Sequence, residues 1–284
     1  MTRFVPHYEV VSFDTLRPYM SMAALARLHK TMEKPASVYI AVFPYFCGTS
    51  AGNISLYARG ADYHSVVMRF LRSKMRALKK KYPAWQFVPL VDASPLPEVA
   101  TACLAGLGKK GRHGLLITPE YGSYVFLGAI LSDLATDAPA EKTQPEKEDL
   151  LHPACTGCDS CLVSCPSGHL AHVERPCLSH CTQKKGALTE EEQALIAKSN
   201  TIWGCDICQL ACPLNKNAAT TPIADFTGEL LSSLTCDTLN ALSEEAFAAR
   251  AFCFRGRAPL ERNLQLTTVK NNCGEGGQLH ALAL

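Results

Sequence analysis

The sequence predicts a mixed α/β domain followed by a smaller, cysteine-rich domain. In the first half, apolar segments with the spacing of strands alternate with segments that have the spacing of helices, as in a sheet covered by helices. In the second half, two short runs each contain several cysteines at fixed spacing. A length of 284 residues, with 47% hydrophobic and 19% charged residues, suits a folded chain with room for both units.

The first predicted elements alternate between strand and helix. Residues 37–45 (SVYIAVFPY) are β-branched and aromatic, and Pro44 lies near their end, which is typical of a buried strand. Residues 62–82 place apolar side chains at helical spacing, and Pro83 predicts the end of that helix. Residues 85–92 (WQFVPLVD) predict a second strand.

The remaining predicted elements of the first half are shorter. Residues 95–108 predict a helix that ends at its glycines, and residues 113–122 and 123–133 are two apolar, strand-like runs. The next segment, residues 135–153, is rich in proline and charge. This composition predicts a linker to the cysteine-rich domain.

Charge and targeting signals narrow the class of protein. With a net charge of +2, no global field commits the chain to nucleic acid or to a membrane. The N-terminus lacks the basic-then-apolar pattern of a signal peptide. The longest apolar run, around residues 114–134, is interrupted by Glu120, Asp133 and several glycines. We therefore predict a cytoplasmic protein.

Fourteen cysteines in such a chain need an explanation other than disulfides, because the cytoplasm is reducing. Residues 155–166 (CTGCDSCLVSCP) match C-x2-C-x2-C-x3-C-P. In this ferredoxin run, three close thiolates bind one 4Fe-4S cluster and the fourth binds another. A tetrahedral zinc site, the alternative, usually has two C-x2-C pairs. The triple therefore favours iron–sulfur clusters.

A second run, residues 205–213 (CDICQLACP), has a similar motif with one cysteine fewer. In the crossed ferredoxin pattern, the ligands of one cluster are Cys155, Cys158, Cys161 and Cys212. Three ligands of the other are Cys165, Cys205 and Cys208. The fourth must come from Cys177 or Cys181, which lie between the runs. We expect the remaining cysteines to be small buried hydrophobes: Cys47, Cys103, Cys236, Cys253 and Cys273.

Two clusters form a path for electrons, so the first half of the chain should hold a group that accepts them. The glycine-rich stretch GLGKKGRHG (106–114) follows a predicted helix, whereas a dinucleotide fingerprint follows a strand. A flavin or nicotinamide is therefore not indicated. The residue pattern alone predicts a redox α/β domain connected to two iron–sulfur clusters.

Several segments, in this order, resemble the epoxyqueuosine reductase family. They are residues 54–64 (ISLYARGADYH), 90–108 (LVDASPLPEVATACLAGLG), 122–134 (GSYVFLGAILSDL) and the two cysteine runs. The resemblance covers roughly residues 37–265. Residues 111–122 (GRHGLLITPEYG) also resemble a segment of the reductive dehalogenases, which share the plan of cobalamin with ferredoxin-like clusters.

The resemblance implies a fold as well as cofactors. It implies a nitroreductase-like α/β domain that binds cobalamin, then a ferredoxin-like domain with two 4Fe-4S clusters, then a short helical tail. The corresponding boundaries are 1–136 for the cobalamin domain, 137–152 for the linker, 153–217 for the cluster domain and 218–284 for a tail that packs back on the core.

The resemblance also implies roles for particular residues. RPCLSH (175–180) matches the element that supplies the last cluster ligand in the family, so it implies Cys177 over Cys181. The proton donor of the family falls on Asp92, and we expect a desolvated pocket to raise the pKa of this carboxyl so that it stays protonated. The alternative for Asp92 is a helix N-cap. The implied cobalamin contacts are Tyr57, Arg59, Asp92, His113, Leu116 and Ser179.

Three functional hypotheses follow. The first is cobalamin-dependent reduction of epoxyqueuosine to queuosine in tRNA, with electrons from a low-potential donor such as ferredoxin or flavodoxin. The basic residues of 64–82 would then contact phosphates, although such a run is also typical of a solvated helix face. The second is a related reductase of a small molecule, such as an organohalide. The third is a non-catalytic electron carrier, which would hardly need the α/β domain.

Two departures from the family bear on these hypotheses: the first leaves the cofactor contacts of one loop open, and the second favours a small-molecule substrate. The missing export signal and YARGADYH (57–64) count against the second hypothesis. GRHGL (111–115) replaces a cofactor-binding element of the family. After FRGRAPLERN (254–263) the chain continues only to Leu284, so we expect no helical-repeat extension of the kind that helps many epoxyqueuosine reductases to grip tRNA.

Overall fold

A computed structural model describes residues 4–92, 94–136 and 150–267. Most of the predicted linker, and Cys273, lie outside the described residues. The strands are β1 (Tyr8–Ser12), β2 (Ser37–Pro44), β3 (Phe87–Val91), β4 (Lys109–Lys110), β5 (Leu116–Ile117) and β6 (Val125–Ser132).

Eleven α-helices lie in the described residues, together with short 3-10 turns. Those of the first half are α1 (Phe13–Leu16), α2 (Met22–Thr31), α3 (Tyr63–Lys81) and α4 (Glu98–Leu104). Those of the second half are α5 (Ser160–Ser164), α6 (Leu178–Gln183), α7 (Glu190–Ser199), α8 (Ile207–Leu210), α9 (Cys236–Ala241), α10 (Glu244–Ala248) and α11 (Ala258–Leu266).

The main sheet has the order β1-β2-β6-β3, and every neighbouring pair is antiparallel. Strand β6 lies between β2 and β3, so it brings the end of the first half into the centre of the sheet. The mixed α/β content predicted from the sequence is confirmed. The predicted strand over residues 113–122 was largely wrong, because only the two residues of β5 pair with another strand there, β4, beside an isolated bridge between Thr118 and Gly122.

Helices cover both faces of this sheet, as the alternation of its buried side chains requires. Phe43 and Ile130 face α3, whose Val67 and Leu71 belong to the same apolar cluster. Their sequence neighbours face the other way. Leu131 on that second face packs in a cluster with residues of α1 and α2.

Helix α3 begins and ends for local reasons. The side chain of Asp62 accepts a hydrogen bond from the backbone N–H of His64 and so caps the N-terminus. Three lysines lie in the last turn, where their positive charges interact favourably with the negative end of the helix dipole. The predicted helix over 62–82 is therefore confirmed within a residue at each end.

The cysteine-rich segment and the C-terminal helices pack against the sheet domain. Trp203, fully buried, shares the largest apolar cluster with Ile54 of the first half and with Phe252 and Leu260 from the C-terminal part. Among the described residues, no helix is long and apolar enough to cross a membrane.

Candidate active site

The first group of cysteines lies around α5 and the turn before Pro213. Burial raises the pKa of the Cys161 thiol, and repulsion from Cys212, Cys155 and Cys158 raises it further. Burial also raises the pKa of Cys212, and Cys155 and Cys158 add to this. Such mutual repulsion requires four thiols that lie close together.

A second group forms around α8 and the start of α6. Burial raises the pKa of Cys205 to about 11, with smaller contributions from Asp206, Cys177 and Cys165. Burial raises that of Cys208 to about 12, and among the charged groups that add to it are Cys205, Cys177 and Cys165. Cys177 is therefore a neighbour of the other three.

Cys181, the other candidate, is also close to Cys177, which raises its pKa, but its surroundings are apolar. Its side chain is fully buried in an apolar cluster with Leu178 and Ile196. Burial and the nearby Glu192 raise the pKa of this thiol to about 11. Within the described residues, no three His, Cys, Asp or Glu side chains converge on one metal ion. The thiolates of a 4Fe-4S cluster bind separate irons and need not converge in that way.

A cavity of about 400 Å³ separates the second cysteine group from the sheet domain. Its aromatic wall is stacked: the rings of Tyr63 and Phe126 lie 4.2 Å apart and nearly parallel, and Tyr45 lies 4.6 Å from Phe126. The lining residues are Tyr45, Tyr57, Tyr63, His113, Leu115, Ser123, Val125, Phe126, Cys165, Pro166, His169, Leu170, Cys177, Leu178, Ser179, Cys205, Cys208 and Gln209.

The structure brings three of the predicted cobalamin contacts to this cavity: Tyr57, His113 and Ser179. It does not bring Arg59 or Leu116 there. The guanidinium of Arg59 is buried and donates to the carbonyls of Ile54 and Ser50, at 2.8 and 2.9 Å. Leu116 is buried in the apolar core behind β5, and its neighbour Leu115 lines the cavity instead.

His113 has an unsatisfied polar atom. Its Nδ1 accepts a hydrogen bond from the backbone N–H of Leu115 at 3.2 Å. Burial lowers the pKa of the ring to about 4, so the ring is neutral and Nε2 carries the hydrogen. Nε2 is buried and has no partner among the described residues. His113 therefore lines the cavity with one ring nitrogen, beside Gly111, that no described residue satisfies.

Asp92 lies where β3 ends, at the edge of this site. Its carboxylate accepts hydrogen bonds from the Tyr63 hydroxyl at 2.5 Å and from His64 Nε2 at 3.3 Å. Its side chain is 54% exposed, and it does not line the cavity itself but contacts Tyr63, which does. Its φ of 56° places it in the left-handed region, which is uncommon for a residue other than glycine.

Two expectations for Asp92 were wrong. The hydrogen bond from His64, and then that from Tyr63, lower its pKa despite burial, because both stabilise the ionised carboxylate. It is also not a helix N-cap, since α4 begins at Glu98 with Pro97 in the capping position. Sequence reasoning identified only the carboxyl and missed Tyr63 and His64, although both lie in the ADYH segment at 61–64.

A buried polar network joins the cysteine-rich segment to the sheet domain. The Gln209 amide donates to the Ser123 carbonyl at 2.9 Å, and Asn215 Oδ1 accepts from the Ser123 N–H at 2.7 Å. Gly122, with φ of 54°, leaves room for this contact: a Cβ there would lie 2.3 Å from Asn215 Oδ1. The second run is thereby held against the start of β6.

We expect Gly122→Ala to destabilise the protein by about 3 kcal/mol, combining left-handed backbone strain with overpacking against Asn215. Gly114→Ala is the matched control, because Gly114 also has positive φ but a Cβ there meets nothing within 4 Å. It should cost only about 1 kcal/mol. Thermal unfolding of both variants checks this, and equal losses would contradict the role of the Asn215 contact.

Comparisons with known proteins agree with this architecture. Residues 154–215 match the family model of a 4Fe-4S double cluster binding domain, and residues 26–93 match that of epoxyqueuosine reductase QueG, DUF1730. An epoxyqueuosine reductase from Lactococcus garvieae is 35% identical over 224 residues, which are 75% of this chain and 60% of that protein.

Solved structures show the same fold. An epoxyqueuosine reductase with an epoxyqueuosine-modified tRNA stem loop superposes with a TM-score of 0.72 and 25% identity, over 92% of this chain and 76% of that one. A Bacillus subtilis epoxyqueuosine reductase, whose aspartate-bearing catalytic loop is swung out of the active site, gives 0.69 and 25%, over 92% and 77%.

The class of protein follows from the matched domain: the chain contains a 4Fe-4S cluster binding domain beside an aromatic-walled cavity. More particularly, it is related to the epoxyqueuosine reductase family in both sequence and fold. The chain spans between 44% and 61% of the length of the curated relatives compared.

Proposed function

We propose that this protein reduces epoxyqueuosine to queuosine in tRNA, using cobalamin and two 4Fe-4S clusters. One observation supports this above all: four cysteines of the second group and the aromatic side chains of the sheet domain line the same cavity. Electrons can pass from a cluster at one wall to a cofactor inside. The cavity thus combines the two requirements of a reductase, an electron source and a place for the reaction.

The proposed ligands follow the two cysteine groups. Those of the first cluster are Cys155, Cys158, Cys161 and Cys212, and those of the second are Cys165, Cys177, Cys205 and Cys208. The mutual effects of these thiols on their pKa values support the grouping. The buried, apolar surroundings of Cys181 support its exclusion.

The cavity residues suit cobalamin. Bound there, cobalamin would supply the two-electron reduction that no amino-acid side chain can perform. Tyr57 and the aromatic wall would offer it flat apolar surface, and His113 and Ser179 would add polar side chains to the lining. The unsatisfied Nε2 of His113 is the observation that supports this fit.

Removal of an epoxide oxygen as water requires two electrons and two protons. We assign proton delivery to Asp92, since its carboxylate lies beside the cavity wall through Tyr63. The relative with an aspartate-bearing catalytic loop supports this role. Because the pKa of Asp92 is lowered in the structure, the proton must reach it from a neighbour.

We propose the domain arrangement predicted from the sequence, with the sheet domain as a nitroreductase-like cobalamin-binding unit. The cluster domain (153–217) then packs on one side of the cavity and the helical tail (218–284) returns to the core. The shared apolar cluster of Ile54, Trp203 and Leu260 supports this for the described part of the tail.

We propose tRNA as the substrate carrier, a low-potential ferredoxin or flavodoxin as the electron donor, and the cytoplasm as the location. Helix α3 offers the phosphate-binding surface. Part of its charge is used within the protein, because Arg69 pairs with Asp225 at 2.5 Å and Lys79 donates to the Trp85 carbonyl. Lys74 and Lys81 lie over the rings of Tyr8 and Tyr82. The cations of α3 that remain for phosphates are Arg72, Arg76 and Lys80.

Anaerobic reconstitution with iron, sulfide and cobalamin, followed by assay on tRNA that contains epoxyqueuosine, tests this function. We expect queuosine in the digested tRNA and none when cobalamin is omitted. Turnover of a small organohalide with no reaction on tRNA would support the related small-molecule reductase instead. A reconstituted protein that binds no corrinoid would contradict both.

A further inference from the structure

His64 lies between two carboxylates that come from different parts of the fold. Its Nδ1 is 2.7 Å from Asp62 Oδ1, at the start of α3, and its Nε2 is 3.3 Å from Asp92 Oδ2, at the end of β3. A neutral imidazole can donate only one hydrogen bond, whereas both of its neighbours here are acceptors. Only the imidazolium satisfies both contacts.

The charges around His64 favour the same state. Burial alone would lower its pKa, but the hydrogen bonds and charges of Asp62 and Asp92 outweigh burial and raise it to about 9. Asp92, conversely, has a lowered pKa. Near neutral pH the proton of the pair therefore resides on His64, and Asp92 is ionised.

Other groups also contact His64 and Asp92. The Tyr63 ring stacks on the imidazole at 4.0 Å and its hydroxyl donates to Asp92. Arg255 lowers the pKa of Asp92, and the ring of Phe254 lies 5.6 Å from His64. Among the described residues, the other titratable groups that interact with the two carboxylates are Cys253, Glu98 and Tyr57. The Ser65 hydroxyl donates to Asp62.

We propose that His64 is the positioning residue of Asp92 and the store of its proton, with Asp62 holding the imidazolium in place. This inference rests on the proposed function. In the step, the proton on Nε2 passes to Asp92 Oδ2, and Asp92 gives it to the substrate oxygen as the first C–O bond breaks. A second proton, taken up by His64 from water, follows the same route as the second C–O bond breaks, and the oxygen leaves as water. The low-potential donor supplies the electron pair through the clusters, and His64, left neutral, takes a new proton from water.

A titration of the histidine side-chain nitrogen signals in oxidised, reconstituted protein measures the charge of His64 without turnover. His64→Gln assigns the signal. We expect His64 to titrate near 9 in the wild type. In Asp62→Asn it should titrate at a lower pH, because the charge of Asp62 is lost. Asparagine still caps the N-terminus of α3, so the helix should be retained. Titration of wild-type His64 near 6.5, its ordinary value, would overturn the proposal.

The pH profile of turnover separates proton supply from a merely structural role. The wild-type rate should fall as the pH rises through about 9, since the raised pKa keeps the proton on His64 below that point. In His64→Gln, Asp92 must hold its own proton, and an ordinary carboxyl with a pKa of about 3.9 is protonated about one part in a thousand at pH 7. Turnover of this variant should then rise about tenfold for each pH unit lowered from 8 to 5.

In Asp62→Asn, the fall in turnover at alkaline pH should begin at a lower pH than in the wild type. The rate at low pH should stay close to that of the wild type. Ser65→Ala is the matched control, because Ser65 donates to Asp62 at 3.2 Å and its loss changes no charge. Its profile should match the wild type. A loss of activity in His64→Gln that is equal at every pH would refute the proton store.

Failure of the proposed function has a different signature. A wild-type protein inactive on epoxyqueuosine tRNA at every pH would overturn that function and, with it, the assigned substrate. A titration of His64 near 9 in the same sample would still support the charge arrangement of Asp62, His64 and Asp92.

Discussion

Cys177→Ser should reduce the iron content of the reconstituted protein from about eight to about four per chain, because it removes one ligand of the second cluster. The thiol lies in the group that lines the cavity and contributes to the raised pKa values of Cys205 and Cys208. Turnover should be lost with the cluster, since this is the cluster at the cavity wall. Iron and sulfide analysis and the spectrum of the reduced protein measure the outcome.

Cys181→Ser is the matched control for this prediction. It changes the other cysteine between the two runs, a fully buried side chain that does not line the cavity. We expect about eight irons per chain in this variant, together with a modest loss of stability from the buried hydroxyl. The opposite pattern, with iron lost in Cys181→Ser and retained in Cys177→Ser, would assign the ligand to Cys181.

Asp92→Asn should lower turnover by about 10² to 10⁴-fold while iron and cobalamin remain bound. The amide can accept hydrogen bonds from Tyr63 and His64 as the carboxylate does, but it cannot pass a proton to the substrate. Single-turnover assays on epoxyqueuosine tRNA measure the chemical step. The corrinoid spectrum measures cofactor binding in the same sample.

Glu98→Gln is the control for Asp92, since Glu98 is a second carboxyl close to the site. Burial raises the pKa of Glu98 to about 7, which on pKa alone would make it the better proton donor. Its carboxylate, however, is engaged by the Ser94 hydroxyl at 3.2 Å and does not line the cavity. We expect near wild-type turnover from Glu98→Gln. A large loss there with an active Asp92→Asn would move the role to Glu98.

Much of the secondary structure could be predicted from local pattern. Strand β2, helix α3 and strand β3 were predicted from β-branched runs and helical spacing to within two residues at each end. Strand β1 and helix α2 were missed, because β1 is short and at the edge of the sheet and α2 buries only Leu28. The strand order was not available from local pattern, since β6 pairs with strands far away in the chain.

For the candidate site too, some features follow from local sequence and others only from the fold. Cysteine spacing is local chemistry, so both runs could be recognised without the fold. Arg59 shows the limit of such reasoning: its guanidinium suits a phosphate or an amide, but the fold directs it to backbone carbonyls. The sequence likewise could not show that His64, at the start of α3, lies 3.3 Å from the carboxylate of Asp92 at the end of β3.

The sequence by itself determined that the chain has an iron–sulfur domain after a mixed α/β half, because ligand spacing and apolar periodicity are properties of neighbouring residues. Only the tertiary structure decided that Cys177 faces the cavity while Cys181 is buried away from it. It also decided that the Asp92 carboxylate lies within hydrogen-bond distance of Tyr63 and His64. The physical reason is that side-chain direction, desolvation and charge pairing depend on groups that only folding brings together.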